Sequence, residues 1–445
     1  MSLPCYPKYK SSGGQWLAHV PEHWDVIPCR AFVDEQTAKN EGAENQYYLS
    51  LISNVGVIPY EEKGDVGNKK PDDLSKCKLV CRGDFVINSM NYGIGSYGLS
   101  PYDGVCSPVY IVLRPRLHRV EPRYAFRIFE NKEFQTYAQS FGNGILEHRA
   151  SINWDNLKSI HVGIPPLPEQ KLILKFLDHE TEKIDALIAE QETLLRLLAE
   201  KRQATISHAV TKGLNPDAPM KDSGVAWLGE VPEHWVLLRI KHLVASLEQG
   251  WSPQCEGFPV QSEDEWGVLK VGCVNGGIFR PEENKTLPRE LEPLPELGLA
   301  SGDLLISRAN TRELVGSAAV ALRSYPRLML CDKLYRLRLR TDACSPQFLA
   351  SYLGTPQVRG QIELAATGAS SSMLNIGQST IRELSVVVPP RHEQTAIISF
   401  LDTETAKLDS LKLESERAIA LLKERRAALI SAAVTGQIDV RHEAA

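Results

Sequence analysis

Two stretches of the chain carry the hydrophobic spacing of long amphipathic helices. Residues from about 169 to 209 contain no proline or glycine and place apolar side chains at helical intervals. A heptad can be written through this stretch and through a second one near the end of the sequence. Its a positions are Leu177, Ile184, Gln191, Leu198 and Thr205, then Leu401, Leu408, Ser415, Leu422 and Leu429; its d positions include Leu187 and Leu194, then Leu411 and Ala418. At 1.5 Å per residue each helix would be roughly 60 Å long. We therefore predict two helices that pair antiparallel and act as a spacer.

Both heptads have a polar residue at the same a position, Gln191 in one and Ser415 in the other. A polar residue in such a seam can fix the pairing register at some cost in stability. A tolerated polar residue near the edge of the seam fits the pattern equally well. The sequence leaves both interpretations open.

Upstream of each helix the pattern changes to short apolar runs, such as residues 85–87 and 109–113, punctuated by Gly, Pro, Asn and Asp. Such runs are typical of strands and loops. We therefore predict an α+β protein: two tandem α/β domains joined by two long antiparallel helices in a coiled-coil spacer. Internal duplication would give this arrangement pseudo-twofold symmetry.

The duplication is visible in the sequence itself. Trp-Leu-x-x-Val-Pro-Glu-His-Trp begins at Trp16 and again at Trp227, 211 positions later. Gly83-Asp84 and Gly302-Asp303 each open an apolar run, and Pro165-Pro166 recurs as Pro389-Pro390 before Glu-Gln and Phe-Leu-Asp. The ends of the two copies match and their middles diverge. Residues 213–219, rich in turn formers, form the predicted joint between the copies.

Composition narrows the class of protein. A chain of 445 residues exceeds what one core usually holds, so two or more domains are expected. A net charge of −5 and a pI near 6.2 argue against a nucleic-acid binder that ignores sequence, which would carry a basic excess. There is no apolar leader and no run of 18 uncharged apolar residues, so we expect a soluble, cytoplasmic chain. The nine scattered cysteines are expected to be reduced and mostly buried.

Basic residues concentrate at matching places in the two middles. Residues 111–127 hold five arginines against one glutamate, a local charge of +4, and residues 323–340 hold six basic residues against one aspartate, a local charge of +5. In the second, Arg336, Arg338 and Arg340 alternate with leucines, so a strand would bury the leucines and present three guanidinium groups on one face. That face could contact phosphates or guanine edges. A solvated sheet face is the alternative.

Motifs for catalysis are weak. Residues 93–98 match G-x-G-x-x-G, but Leu-Ser-Pro rather than a helix follows them, so we expect no dinucleotide site. No phosphate-binding G-x-x-x-x-G-K-[ST] occurs, and the Pro-Pro pairs lack the Asn or Asp that amino-methyltransferases place before them. Cys77 and Cys81 have no second Cys/His pair for a metal. The repeated His23 and His234 could be acid–base groups, but without a nucleophile or second ligand we interpret them as packing or docking elements.

Taken in order, the repeated motifs resemble the specificity subunit of type I restriction-modification systems. The similarity runs from about residue 12 to residue 440. It implies that residues 12–160 and 223–385 are target-recognition domains, each reading one half of a split DNA sequence. The domain boundaries that we predict are 1–160 for the first recognition domain, 161–212 for the central helical spacer, 213–387 for the second recognition domain and 388–445 for the C-terminal helical spacer.

The resemblance also implies partners. The helices would set the distance between half-sites on double-stranded DNA and bind two methyltransferase (modification) subunits, which bring S-adenosylmethionine and methylate adenine N6. Restriction/translocase subunits would join with ATP and Mg for cleavage. The chain itself would bind no cofactor or metal and would catalyse nothing.

For contacts to bases we choose the polar loops that follow the Gly-Asp strands, because Asn can read adenine and Arg can read guanine through two hydrogen bonds. The alternative is that these loops are ordinary surface turns. The predicted DNA-binding residues are Asn88, Ser89, Asn91, Tyr92, Arg114 and Arg116 in the first half and Arg308, Asn310, Thr311, Arg312, Arg336 and Arg338 in the second.

Two other functions stay open from the sequence. One is a coiled-coil interaction scaffold that does not bind DNA, which salt dependence would separate from a DNA reader. The other is a self-contained nuclease or methyltransferase, for which the motifs are missing.

Overall fold

The chain packs as two compact units, here called unit 1 and unit 2. Unit 1 comprises Met1–Glu192 and Glu416–Ala445, and unit 2 comprises Thr193–Ser415. The computed structural model describes residues 3–14, 16–141, 151–262, 264–340, 342–370 and 373–442. Each unit contains part of both long helices. The two units are therefore defined by which residues pack together, whereas the boundaries predicted from the sequence follow the order of the segments along the chain.

Eight α-helices lie in the described part of the chain. They are α1 (Pro122–Glu130), α2 (Lys132–Gln139), α3 (Trp154–Leu157), α4 (Leu167–Lys212), α5 (Pro346–Leu353), α6 (Pro356–Ala365), α7 (Gln378–Glu383) and α8 (Arg391–Val434). The long helices α4 and α8 have 46 and 44 residues, or about 70 Å each at 1.5 Å per residue. The predicted pair of long helices is confirmed.

Each long helix begins after a Pro-Pro pair and is fixed there by a buried glutamine. Gln170 Nε2 donates to the carbonyl of Pro165 at 2.8 Å, and its Oε1 accepts from the backbone amide of Glu121 at 2.8 Å. Gln394 makes the matching two bonds in unit 2, also at 2.8 Å. In each unit, one glutamine side chain thus satisfies a carbonyl before the long helix and a backbone amide at the start of a second helix. That second helix is α1 in unit 1 and α5 in unit 2.

Glycine ends both long helices. Gly213 and Gly436 follow α4 and α8 with φ of +76° and +73°, the left-handed conformation that glycine adopts without strain. A Cβ at either position would lie 3.2 Å from the ring of Trp235 or Trp24, respectively. The repeated tryptophan therefore packs against the end of a long helix in each unit.

The long helices run antiparallel. In unit 1, Arg426 Nε donates to Asp185 Oδ1 at 2.9 Å. In unit 2, Arg202 Nη1 donates to Asp409 Oδ1 at 2.5 Å. From the first ion pair to the second, the residue number rises along α4, from 185 to 202, and falls along α8, from 426 to 409, as expected of antiparallel helices. The two ion pairs are also equivalent in the repeat, since their residues are 224 positions apart.

The heptad assignment is correct at several a positions and wrong at most d positions. Leu177, Ile184 and Leu408 are buried, as is the polar Ser415. The d leucines are exposed, in the first helix at positions 187 and 194 and in the second at position 411. The reason is geometric, because two helices cover only a narrow stripe of each other and leave the neighbouring row uncovered.

Unit 1 is built around one four-stranded sheet with small antiparallel ladders beside it. Its strands are β1 (Tyr9–Ser11), β2 (His19–Pro21), β3 (Asp25–Pro28), β4 (Val33–Glu35), β5 (Leu49–Ile52), β6 (Gly56–Pro59), β7 (Lys78–Val80), β8 (Phe85–Asn88), β9 (Tyr97–Leu99), β10 (Gly104–Cys106), β11 (Tyr110–Pro115) and β12 (His161–Ile164). The main sheet has the order β4-β11-β8-β9, with Ile87 opposite Ile111 in the β8–β11 ladder. Its core includes Phe85, Trp24 and Phe129, joined by residues from α4 and the end of α8.

Unit 2 repeats this sheet and adds a second one. Its strands are β13 (Met220–Asp222), β14 (Glu230–Pro232), β15 (Val236–Arg239), β16 (Val244–Gln249), β17 (Gly267–Leu269), β18 (Asn284–Thr286), β19 (Gly298–Leu299), β20 (Leu304–Ser307), β21 (Ala309–Asn310), β22 (Ala318–Val320), β23 (Tyr325–Met329), β24 (Leu334–Leu339), β25 (Thr367–Ser370), β26 (Met373–Asn375) and β27 (Ser385–Val388). The sheet β16-β24-β20-β22 corresponds to the main sheet of unit 1, and β18-β17-β23-β19 is the larger addition. The predicted α+β class, with two domains and two long helices, is confirmed.

Candidate nucleic-acid interface

The repeated Gly-Asp motif forms a turn that fastens one arginine in each unit. In unit 1, Asp84 is buried and receives Arg114 through Nε at 2.7 Å and Nη2 at 2.8 Å, while the Cys81 amide donates to the same carboxylate. In unit 2, Arg338 Nε donates to Asp303 at 2.9 Å. Both arginines remain nearly half exposed, at 45% and 43% of their side chains. Each is therefore held by the fold and still has a free face toward solvent.

Arg336 corrects one expectation. The alternation of β24 does bury its leucines, but Arg336 is also buried, at 1% exposed. Its Nη1 donates to the Gly298 carbonyl at 2.7 Å, and its Nη2 donates to the Glu296 carbonyl at 2.9 Å and bonds to Glu248. The prediction that Arg336 presents its guanidinium to DNA is wrong, because Glu248 on the neighbouring strand β16 and the carbonyls of Glu296 and Gly298 bind its donors.

Four of the predicted DNA-binding residues lie at the end of β8 and in the loop that follows it. Two of these four side chains are buried in the protein. Tyr92 is fully buried and donates its hydroxyl to the Phe129 carbonyl at 2.5 Å. Asn88 is buried at the strand end, where its Oδ1 accepts from the Met90 amide at 3.2 Å. The prediction of base contacts by Tyr92 and Asn88 is wrong, because both stabilise the loop from within. Ser89 and Asn91 are half-buried and stay predictions.

The glycines of residues 93–98 are explained by close packing in this same loop. Gly95 lies against the side chain of Asn54, and a Cβ at Gly98 would come within 2.9 Å of the Gly56 Cα. The Asn54 amide donates to the Gly95 carbonyl at 2.9 Å. The glycines therefore allow two turns to touch, and the motif runs into strand β9 rather than into a helix.

In unit 2 the corresponding segment includes strand β21, which pairs with β26. Arg308 is half-buried and donates to the Asp332 carbonyl at 3.2 Å. Asn310 caps its own turn by accepting from the Thr311 amide at 2.9 Å, and the half-buried Thr311 accepts backbone bonds from the turn that follows. Arg312 is exposed. Of the four predicted residues, Arg312 is thus the best placed to reach a base.

A second turn that the sequence analysis missed lies beside each loop. The Nδ2 of Asn310 is 3.4 Å from the Oδ1 of Asn275, and Arg280 Nη1 donates to the Asn275 carbonyl at 2.6 Å. Asn275 and Asn54 each begin an Asn-x-Gly turn, 221 positions apart. That repeated triplet is the signal that could have found these turns. Together the turn and the loop form what we call the polar edge of each unit.

The basic run of residues 111–127 is largely compensated within the fold. Arg116 bonds to Asp34 through two nitrogens at 2.6 and 2.9 Å, and this bond lowers the pKa of the Asp34 carboxyl. Arg123 pairs with the carboxylate at position 178 and Arg127 with that at position 130. Local charge counted along the sequence therefore overstates the positive charge that this face offers to phosphates.

The repeated His-Trp motif is a structural element. In unit 1, Trp24 Nε1 donates to the buried Glu169 at 2.9 Å, and His23 Nε2 lies 2.7 Å from the same carboxylate. In unit 2, Trp235 and His234 contact Glu393 at 3.0 and 2.7 Å. Each carboxylate belongs to the first turn of a long helix, so the motif joins that helix to its domain.

Five buried cysteines are poor candidates for a nucleophile. Burial raises the pKa of the thiols of Cys29, Cys106, Cys273, Cys331 and Cys344, which disfavours the nucleophilic thiolate. Among the described residues there is no group of three or more His, Cys, Asp or Glu side chains placed to hold a metal ion. The described helices also include none that is long and apolar enough to cross a membrane.

Comparison with known proteins shows which proteins this chain is similar to. The family described as "Type I restriction modification DNA specificity domain" matches residues 41–196. The EcoEI specificity subunit of Escherichia coli is 30% identical over 219 residues, which make up 49% of this chain and 36% of that subunit. The MjaX specificity subunit of Methanocaldococcus jannaschii, itself described as putative, is 22% identical over 96% of both chains. The match to the first of these relatives thus spans only about a third of its length.

A solved structure supports the fold. A chain from a structure titled for the "complex assembly and conformational transition of the type I R-M system" superposes with a TM-score of 0.69, at 17% identity, over 93% of this chain and 98% of that one. Residues 41–196 match the type I DNA specificity domain family, and the predicted resemblance to type I restriction-modification specificity subunits is confirmed. The comparisons give no support to a scaffold that does not bind DNA.

Proposed function

We propose that this chain is the DNA-reading specificity subunit of a type I restriction-modification complex and that each unit reads one half of a split target. The observation that carries the proposal is the duplicated architecture. Asp84–Arg114 recurs as Asp303–Arg338, and the Trp-His-Glu joint recurs as well, whereas the polar edges differ in sequence. A shared scaffold with unlike loops suits the reading of two unlike half-sites.

The polar edge of unit 2 offers the donors that base recognition needs. Arg312 is exposed, and its guanidinium makes no hydrogen bond or ion pair with the described residues. It lies next to the turn that holds Asn310 and Asn275. An arginine reads guanine O6 and N7 through two bonds, and an asparagine reads adenine N6 and N7. In unit 1, Asn91 and Ser89 occupy the corresponding loop with no arginine, which favours a different base preference there.

The paired helices would hold the two readers at a fixed separation. Adjacent major-groove faces on one side of a duplex recur about every 34–36 Å. Helices of 46 and 44 residues, about 70 Å long at 1.5 Å per residue, are long enough for half-sites separated by a gap. The Arg426–Asp185 and Arg202–Asp409 ion pairs support the antiparallel pairing of the helices on which this part of the proposal depends.

The exposed leucines of the helices are the proposed docking sites for two methyltransferase subunits. Leu187 and Leu411 are both 47% exposed, and Leu197 and Leu421 are also exposed. Each pair is spaced by 224 positions, the offset of the repeat. Leu187 and Leu421 belong to unit 1, and Leu197 and Leu411 to unit 2. Two copies of an apolar patch fit two copies of one partner.

In this proposal the chain supplies recognition and its partners supply the chemistry. S-adenosylmethionine belongs to the methyltransferase subunits, and ATP with Mg belongs to restriction subunits where these are present. The chain acts as a non-catalytic subunit. The scarcity of catalytic motifs in the sequence supports this assignment.

Selection of DNA by the assembled complex tests the proposal. The chain would be co-purified with its modification subunit and mixed with random 40-base-pair DNA, and the retained fragments would be sequenced at several salt concentrations. We expect two short conserved elements separated by a fixed gap, and binding that weakens steeply with salt. Retention without sequence enrichment, or without salt dependence, would contradict the proposal, and a complex that retains no DNA would favour the scaffold.

A further inference from the structure

The two joints between long helix and domain differ in one respect. In unit 1, the carboxylate of Glu169 receives a third donor, the hydroxyl of Tyr6, at 2.7 Å. The Tyr6 ring is buried, with its centroid 5.9 Å from that of Trp24 and 5.7 Å from that of His23. Arg441 lies over the same ring, 5.0 Å from its centroid. A phenol therefore completes this joint, with its ring packed on aromatic groups and its hydroxyl on the carboxylate.

Unit 2 has the same joint without the phenol. The backbone registers agree, since the amide of Glu22 donates to the Lys8 carbonyl at 3.0 Å as the amide of Glu233 donates to the Pro219 carbonyl at 2.8 Å. Counting back two residues in each unit places Asp217 where Tyr6 stands. Asp217 is exposed, and a carboxylate has no proton to donate to Glu393. Among the described residues, no hydroxyl donates to Glu393 as that of Tyr6 donates to Glu169.

A cavity of about 340 Å³ lies at this joint in unit 2. It is lined by Lys212, Gly213, Leu214, Asn215, Ala218, Pro232, His234, Glu393, Ala396 and Ile397. Glu393 is 30% exposed, whereas Glu169 is 8% exposed beneath Tyr6. The volume falls within the range of small-molecule sites, about 300–1,000 Å³. The walls combine apolar groups with the Glu393 carboxylate, His234 and Lys212. The ring of Tyr6 in unit 1 likewise has a carboxylate, a histidine and a cation beside it, and its cation is Arg441.

We propose that this cavity of unit 2 binds a phenol ring with a free hydroxyl, supplied by a tyrosine side chain of another polypeptide or by a small phenol. The hydroxyl would donate to Glu393, and the ring would lie against Ile397 and Ala218, with Lys212 as the cation beside it. Tyr6 is the precedent for this binding, because its phenol occupies the equivalent position in unit 1 and donates its hydroxyl to Glu169. This site is independent of DNA reading, which uses the polar edges.

Calorimetric titration of the full chain with p-cresol tests the proposal. We expect one p-cresol to bind per chain, and p-xylene, which lacks the hydroxyl, to bind at least tenfold more weakly, as does p-cresol to the Glu393→Gln variant. Ala218→Phe, which fills the cavity with a ring, should abolish binding. Tyr6→Ala opens the equivalent site and should raise the stoichiometry to two.

Several results would overturn the proposal. The proposal fails if the intact chain does not bind p-cresol, if it binds p-xylene as tightly as p-cresol, or if Ala218→Phe leaves the binding of p-cresol unchanged. If Tyr6→Ala does not fold, the other two variants still decide. The hexapeptide Leu-Pro-Ser-Tyr-Pro-Lys, which copies residues 3–8 with serine for Cys5, separates the sources. Binding tighter than p-cresol supports a polypeptide tyrosine, and binding of p-cresol alone supports a small phenol.

Discussion

Replacing Glu169 with alanine should destabilise unit 1 more than the matching change at Glu393 destabilises unit 2. Glu169 accepts from two buried donors, Trp24 Nε1 at 2.9 Å and the Tyr6 hydroxyl at 2.7 Å. A buried donor that loses its acceptor costs about 1–3 kcal/mol. The expected loss is therefore about 4 kcal/mol in unit 1. In unit 2 only Trp235 loses a buried bond, because His234 is 47% exposed and can turn to water, so the loss is about 2 kcal/mol.

Thermal unfolding combined with hydrogen–deuterium exchange measures both changes. For units of this size, about 2–4 °C of unfolding temperature accompany each kcal/mol, so Glu169→Ala should lower the unfolding temperature by roughly 8–16 °C and Glu393→Ala by about half as much. Exchange should rise mainly in the peptide around Trp24 for the first variant and around Trp235 for the second. Glu180→Ala, which removes an exposed i,i+3 pair with Lys183, serves as the control and should cost under about 0.5 kcal/mol. Equal losses for the two main variants would refute the reasoning.

Three further outcomes follow from the same structure. Arg312→Ala should change discrimination at one half-site by about 1–3 kcal/mol, and uniform weakening on every DNA would rule out a base contact. Arg441 holds the pKa of Asp439 below its ordinary value; the stabilisation is present above the unfolded pKa of about 3.9 and is lost as pH falls through the folded value. Exchange of residues 436–442 should therefore rise below about pH 4, and Asp439→Asn should remove this pH dependence, which continued titration would contradict. Leu187→Lys and Leu411→Lys should each reduce the bound methyltransferase subunits from two to one by mass photometry, and unchanged stoichiometry would remove these leucines from the docking site.

The sequence predicted the long helices well because their signals are local. Breakers, helix-forming composition and heptad spacing all lie within the segment itself, and Leu177 and Ile184 are buried as expected. The same spacing does not reveal which side a partner covers. The heptad therefore predicts Leu187 in the seam between the long helices, although its side chain is exposed to solvent.

The candidate site was predicted less well because its side chains depend on distant partners. The guanidinium of Arg336 binds Glu248 and the carbonyls of Glu296 and Gly298. These groups lie 38 to 88 residues earlier in the chain, and no local pattern indicates that contact. Tyr92 looked like a polar loop residue, yet its hydroxyl reaches the carbonyl of Phe129. Arg312 is exposed as expected, because the turn that holds it is formed by near neighbours such as Thr311.

Mapping of adenine methylation tests the central claim most directly. The chain would be expressed with its modification subunit in a host without other adenine methylation, and modified adenines would be located across the genome by single-molecule sequencing. The account predicts two short specific elements separated by a gap of constant length, and no methylation when this chain is omitted. A single contiguous motif, or the same methylation without this chain, would contradict it.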